Sequence, residues 1–217
     1  MGQRKDEMDC ILCHSSAVSS FGIFDGKQYW TCGHCAAKFL DKRHFLTQDA
    51  ERKHYLNHQN VVADPDYRRF LDRVKKPLEK QLSPGATGLD YGCGSGPALA
   101  DMFRADGFDI DLYDPFFFPD ETIFNRQYDF ITCTETAEHF YDPCSEFATL
   151  DRLLKPGGKL GVMTCFSTDD DAFEKWHYRR DPTHVVFYKE RTFQAIAAQY
   201  QWRCDVPAKD IVIMTKP

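Results

Sequence analysis

The stretch Gly88-Leu89-Asp90-Tyr91-Gly92-Cys93-Gly94-Ser95-Gly96-Pro97 restricts this chain more than any other. An aliphatic and acidic run enters glycines spaced by single residues, and helical spacing resumes in Ala98-Leu99-Ala100-Asp101-Met102-Phe103. Strand, tight turn and helix start is the arrangement this pattern predicts. Glycines without Cβ atoms let backbone approach a ligand closely. The N–H groups at the start of the next helix favour a negative group held in the turn.

The sequence beyond Thr87 keeps this rhythm. Strands are expected at 87–91, 108–114, 128–134 and 159–164, and helices at 98–105, 138–154 and 190–200. A closing hairpin should end in Ile211-Val212-Ile213-Met214. Alternation of this kind predicts an α/β fold, a Rossmann-like, mostly parallel sheet with helices on both faces and an antiparallel C-terminal hairpin. Before it, Asp64-Pro65 is a helix start, and Tyr67, Phe70, Leu71, Val74, Leu78 and Leu82 recur at helical spacing. Pro77 should kink or restart that lead-in helix. Arg68, Arg69, Lys75 and Lys76 should face outward.

The N-terminal part follows other rules. Cys10-Ile11-Leu12-Cys13 and Cys32-Gly33-His34-Cys35 are two C-x2-C pairs with metal-site spacing. Between them Phe21–Trp30 reads as two strands about Asp25-Gly26. Four thiolates close a tetrahedral site, so a small N-terminal zinc ribbon with structural zinc is expected on Cys10, Cys13, Cys32 and Cys35. Iron in the same thiolates is the rival, and His14 or His34 could in principle replace one sulfur. The domain division expected is a ribbon segment and linker over 1–58 and an α/β domain with its lead-in helix over 59–217. The charged run 41–59 reads as a solvated helix or linker from which Tyr55 and His58 could reach a pocket.

Composition removes several classes. The formal charge of −6 on 217 residues argues against a general nucleic-acid footprint without excluding a local basic patch. No apolar run approaches the roughly 20 residues of a membrane span. The polar start Met1-Gly2-Gln3-Arg4-Lys5-Asp6 lacks a signal-peptide pattern, and the nine cysteines then suit a reducing, cytoplasmic setting. Cys93, Cys133, Cys144, Cys165 and Cys204 lack metal spacing and read as buried small hydrophobes.

The ligand of the glycine turn can be narrowed. A P-loop needs Gly-Lys-Ser/Thr, whereas Gly96-Pro97-Ala98 stands here; Pro97 also displaces the third glycine of the dinucleotide fingerprint, which demotes NAD. Asp114, at the end of the next strand, suits ribose hydroxyls. Loop N–H groups would take a carboxylate, and Asp90 would favour a nearby cation.

Four stretches in order then carry a resemblance: Leu89–Gly96; Asp111-Leu112-Tyr113-Asp114-Pro115; Tyr128–Glu135 through Glu138-His139-Phe140 and Asp142-Pro143; and Leu153–Leu160. Together they resemble class I S-adenosylmethionine-dependent methyltransferases of the ubiquinone-methylase-like group. The resemblance implies that S-adenosylmethionine is bound by Asp90, Tyr91, Gly92, Cys93, Gly94, Gly96, Asp114, Pro115, Thr134 and Glu135. It implies a small-molecule methyl acceptor, with His139 and His184 as catalytic candidates, His139 as base or as orienting group. The alternatives are an RNA methyltransferase whose ribbon grips nucleic acid, and a non-catalytic scaffold docking a protein.

One departure from the family stands out. Only residues 115–127 lie where a helix and a further strand are usual, and Phe116-Phe117-Phe118 are expected either to wall the adenine or to fill core. The dense run Trp176–Tyr188 falls where the acceptor-binding insert is expected. Arg179 and Arg180 are read equally as pocket or surface groups, and Asp169-Asp170-Asp171 as a cap or solvated loop.

Overall fold

The computed structural model describes residues 8–56 and 60–217. His58, the end of the ribbon segment at 58 and the start of the next at 59, and the polar start at 1–6 lie outside them. Two sheets organise the chain. β1 (Val18–Phe24), β2 (Lys27–Cys32) and β3 (Lys38–Leu40) are the ribbon strands. Asp25 and Gly26 both take positive φ, 51° and 74°, which the tight turn between β1 and β2 requires.

A short helix, α1 (Gln48–Tyr55), precedes the lead-in helix α2 (Pro65–Glu79), whose start is capped by Asp64. There follow β4 (Thr87–Tyr91), α3 (Ala98–Ala105), β5 (Asp109–Tyr113), β6 (Tyr128–Thr134), α4 (Pro143–Leu153) and β7 (Leu154–Met163). The chain closes with β8 (Val186–Phe187), α5 (Glu190–Tyr200), β9 (Arg203–Ala208) and β10 (Ile211–Thr215).

The larger sheet runs β5-β4-β6-β7-β10-β9. Its first four strands are parallel and β10 is antiparallel to both neighbours, so the expected fold class holds. On one face α2 and α3 bury Leu71, Val74, Leu78 and Phe103 against Phe130 and Met163. On the other face Phe147, Leu150, Phe193 and Ile196 from α4 and α5 pack in a core that continues into Ile11, Leu12, Tyr29 and Phe39 of the ribbon.

That continuity has a backbone counterpart. β3 pairs antiparallel with β8, Lys38 opposite Phe187 and Phe39 opposite Val186, giving the second sheet its order β1-β2-β3-β8. The ribbon therefore takes its fourth strand from the segment before α5.

Several local expectations change. The helix read over 138–154 begins only at Pro143, because Asp142 caps it and a residue before proline is disfavoured in helical conformation. Pro77 does not restart the helix: α2 runs on through it to Glu79, and Pro77 falls in the last turn, beside buried Leu78. Lys75 is buried between Glu79 and Asp106 rather than outward. Of the five further cysteines only Cys93 and Cys133 are buried; Cys144, Cys165 and Cys204 are half-buried. Residues 115–127 hold neither α-helix nor strand, only an Asp114–Phe118 bridge and a 3-10 turn at Glu121–Asn125.

Candidate functional site

The carboxyl ends of β4, β5 and β6 meet at one rim of the parallel sheet, where ligands of such sheets bind. A cavity of about 790 Å³ opens there. Asp90, Tyr91, Gly92, Cys93, Gly94, Gly96, Asp114, Pro115, Thr134 and Glu135 all line it, as do His139 and His184. The structure thus brings together every residue singled out above for cofactor and chemistry.

The glycine turn is held by the neighbouring strand. Gly92 and Cys93 N–H donate to the Tyr113 carbonyl at 2.8 and 3.1 Å. Gly94 N–H donates to Asp114 Oδ2 at 3.0 Å, while Asp114 Oδ1 accepts from Phe116 and Phe117 N–H at 2.9 and 3.1 Å. Asp114 therefore braces the turn. Two of the glycines are obligatory on spatial grounds. Gly92 has φ +78°, and a Cβ there would stand 2.2 Å from Thr136 Cγ2; at Gly96 it would stand 2.0 Å from the Asn60 carbonyl oxygen.

Asp90 is buried at the strand end and accepts from Thr132 Oγ1 at 2.7 Å. Burial pushes its carboxyl up to about 6. Thr134 Oγ1 is buried with no hydrogen-bond partner among the described residues, an orphan in the cavity wall. A cradle that a Cβ would fill and an unpartnered hydroxyl both fit a ligand pressed against this turn.

The opposite wall carries the histidines. His139 Nδ1 lies 3.2 Å from the Thr183 carbonyl oxygen, and His184 Nδ1 lies 2.6 Å from that of Tyr178. Their ring centroids are 4.7 Å apart. Burial, then the His139 charge, pushes His184 down to about 4, so its ring is neutral near pH 7. Glu138 is fully buried, accepts from Tyr178 Oη at 2.5 Å, and is held above the usual carboxylate range by that burial.

Sequence reading left several lining residues without a place. Glu51 and Tyr55 of α1 reach the cavity, joined by a Tyr55 Oη to Glu51 Oε1 hydrogen bond of 2.9 Å; of these the sequence points only to Tyr55. Tyr67 also lines it, and so do Tyr178 and Asp181 of the 176–188 run expected to hold the acceptor. A tyrosine at a core-facing helical position carries no signal that separates packing from lining. Phe116 and Phe117 face the cavity and Phe118 does not.

Arg179 belongs to neither pocket nor surface. It is buried, donating to Asp25 Oδ2 at 2.7 Å and to the Glu174 carbonyl at 2.7 Å. Arg180 is exposed. Asp169 caps the turn through Asp171 and Ala172 N–H, while Asp170 joins buried Lys38 and Lys189, each at 2.7 Å.

The four ribbon cysteines converge separately. Cys10 and Cys35 Sγ are 3.7 Å apart, as are Cys13 and Cys32 Sγ. A tetrahedron with Zn–S bonds of about 2.3 Å has edges of about 3.8 Å. The two knuckles are built alike: His14 and Ala36, each one residue past a pair, have φ of 54° and 62° and donate N–H to Cys10 and Cys32 carbonyls. His14 Nε2 lies 3.1 Å from Cys144 Sγ, away from the four sulfurs.

A family model described as a methyltransferase domain matches residues 63–205. The chain belongs to that methyltransferase family. Among solved structures, the methyltransferase domain is similar to a Burkholderia thailandensis 1,6-didemethyltoxoflavin-N1-methyltransferase bound to 1,6-didemethyltoxoflavin and S-adenosylhomocysteine, with 14% identity, TM-score 0.53, and coverage of 91% of this chain and 99% of that one. The YcgJ protein of Bacillus subtilis gives 20% identity, TM-score 0.46, and coverage of 62% and 70%. An S-adenosylmethionine-dependent methyltransferase from Methanosarcina mazei gives 14%, 0.46, 64% and 96%. No curated protein matches the chain. The likeness to the Burkholderia enzyme, at this identity, is one of fold. Among the described residues no helix is long and apolar enough to cross a membrane.

Proposed function

We propose that this methyltransferase domain binds S-adenosylmethionine at the glycine turn and passes its methyl group to a small-molecule acceptor held against His139 and His184. The observation that carries the reading is the continuity of one cavity from Gly92–Gly96 and Asp114 to the two histidines. When bound, the sulfonium would supply an activated methyl that the acceptor takes in line, the thioether of S-adenosylhomocysteine being the leaving group.

The chain's own work is placement, which supplies most of the acceleration in such a displacement. Gly92, Cys93, Gly94 and Gly96 offer close backbone, and Asp114 holds the turn that must carry ribose and amino-acid groups. Asp90 and Glu135 set a negative field suited to an ammonium, and Tyr91, Pro115 and Thr134 complete the wall. Phe116 and Phe117 offer apolar faces where the usual adenine-contacting elements are shortened. His184, neutral and tied through Nδ1, presents an acceptor nitrogen; His139 is the stronger candidate to orient or deprotonate the methyl acceptor.

The finer assignments follow the same reading. The domain belongs with the ubiquinone-methylase-like group and works in the cytoplasm. Residues 1–58 form a zinc-ribbon segment and linker, and 59–217 the catalytic domain. Zinc on Cys10, Cys13, Cys32 and Cys35 is structural, because four thiolates leave no open position. Calorimetric titration with S-adenosylmethionine and S-adenosylhomocysteine tests the core of this: binding of both is expected, and heat from neither would overturn it. A metabolite screen with methyl-labelled cofactor, wild type against His139→Ala, then identifies the acceptor.

A further inference from the structure

Glu51 of α1 lines the cavity and has no part in the cofactor reading. It is half-buried, and Tyr55 Oη donates to its Oε1 at 2.9 Å. Burial raises its carboxyl above the ordinary range, and the Tyr55 and Tyr141 hydroxyls offset part of that. Among the described residues no lysine or arginine sits against its charge. A carboxyl withdrawn from water in this way is normally paired with a cation.

The walls around it are aromatic. Tyr55, Phe116 and Tyr141 line the cavity with Glu51. The Tyr55 ring centroid lies 5.5 Å from that of Phe116 and 5.5 Å, edge-on, from that of His139. Ring faces attract a cation electrostatically, and a carboxylate within the same walls adds a hydrogen-bonding partner of opposite charge. An organic ammonium meets both demands, whereas an alcohol of the same shape meets only the hydrogen bond.

The rest of the lining agrees. Among the described residues no lysine or arginine lines the cavity. Asp181, in the 176–188 run, does line it. Burial alone would raise the Asp181 carboxyl, but the Thr183 hydroxyl and N–H outweigh burial and hold it at about 2, so it is ionised near neutral pH. Its Oδ2 lies 3.4 Å from His54 Nε2. A phosphate or carboxylate on the acceptor would enter this space with like charge facing it.

We propose that Glu51, walled by Tyr55, Tyr141 and Phe116, binds an ammonium group of the methyl acceptor, which makes the substrate class organic amines and excludes anionic acceptors. That the bound amine is the methyl acceptor rests on the methyl-transfer reading; the binding of an organic cation at Glu51 does not. Anchoring of this kind breaks no bond.

The test is ligand-observed NMR on the full chain, with and without S-adenosylhomocysteine. The probes are phenylethyl, indolylethyl and cyclohexylethyl frames, each carrying an amine, an alcohol or a carboxylate. Amines are expected to bind at least about tenfold more tightly than the matched alcohols, and the carboxylates not to bind. Glu51→Gln should erase most of the amine preference, while S-adenosylhomocysteine affinity by calorimetry stays within about threefold. If Glu51→Gln does not fold, Tyr141→Leu takes its place, with amine affinity lowered about threefold to tenfold. No amine preference in wild type, carboxylates bound as tightly as amines, or a preference retained in the variant would overturn the proposal. So would a Glu51→Gln protein that loses S-adenosylhomocysteine affinity alone, since Glu51 would then serve the cofactor. S-adenosylhomocysteine bound without an amine preference sinks only this recognition site, and an amine preference without cofactor binding sinks only the methyltransferase reading.

Discussion

Arg179 and Asp25 are joined by a 2.7 Å ion pair between positions 154 apart in sequence, and it ties the β1–β2 turn to the segment that carries His184. Arg179 is buried among Phe24, Tyr29 and the carbonyls of Phe173 and Glu174. Arg179→Ala strands those carbonyls and removes packing, so a loss of about 3 kcal/mol in urea unfolding is expected. Asp25 is exposed, and Asp25→Ala should cost far less. Equal losses for the two would show that the ion pair, not the burial, matters.

The shared sheet makes a second prediction. Stripping the metal proposed for the four cysteines should loosen β3, and with it β8. Hydrogen exchange is the measurement, at the Leu40 N–H bonded to Val185 and the Val185 N–H bonded to Glu138. Faster exchange at both after chelation is expected. Faster exchange confined to residues before β3 would show that the ribbon melts alone.

Gly92→Ala tests the turn. The substitution meets Thr136 and a positive φ, so a stability loss of about 1–3 kcal/mol and at least tenfold weaker S-adenosylhomocysteine binding are expected by calorimetry. Unchanged affinity in a folded variant would remove the turn from the cofactor site.

Asp90 gives a pH dependence. Its folded value of about 6 stands above the ordinary 3.8, so the folded state binds the proton more tightly. The resulting stabilisation is complete below about pH 4 and is lost as pH rises through 6, about 3 kcal/mol in all. Urea midpoints should fall more steeply between pH 4 and 7 in wild type than in Asp90→Asn, whose remaining slope comes from Glu138 and the other carboxyls that burial raises. A parallel slope in both would assign it to another group.

What the sequence disclosed, and what it hid, divide along one physical line. Local patterns were legible: the glycine turn, the alternation of β4 to β7, the Asp64 cap and the paired cysteines each depend on neighbours in the chain. Assignments that depend on distant partners were not. Arg179 looks solvated until Asp25 arrives from the other end of the molecule, and Lys75 until Asp106 does. Glu51 carries nothing in its own segment that marks it as cavity lining. The start of α4 is local, Asp142-Pro143 repeating the Asp64-Pro65 signal, but apolar spacing that runs on across it masks the boundary. Asp114 was found for its place at a strand end, but its grip on Gly94 needed the fold.

The shortened connection after β5 leaves that strand at the border of the sheet, with β4 as its one neighbouring strand among the described residues. Such a border can recruit strands from other molecules. Here Asp109 and Asp111 alternate with Ile110 and Leu112 along it, and Arg126 and the Tyr128 hydroxyl converge on Asp111 at 3.0 and 2.9 Å. Trimming the fold by one helix and one strand thus transfers to two aspartates the task of keeping separate molecules from stacking edge to edge.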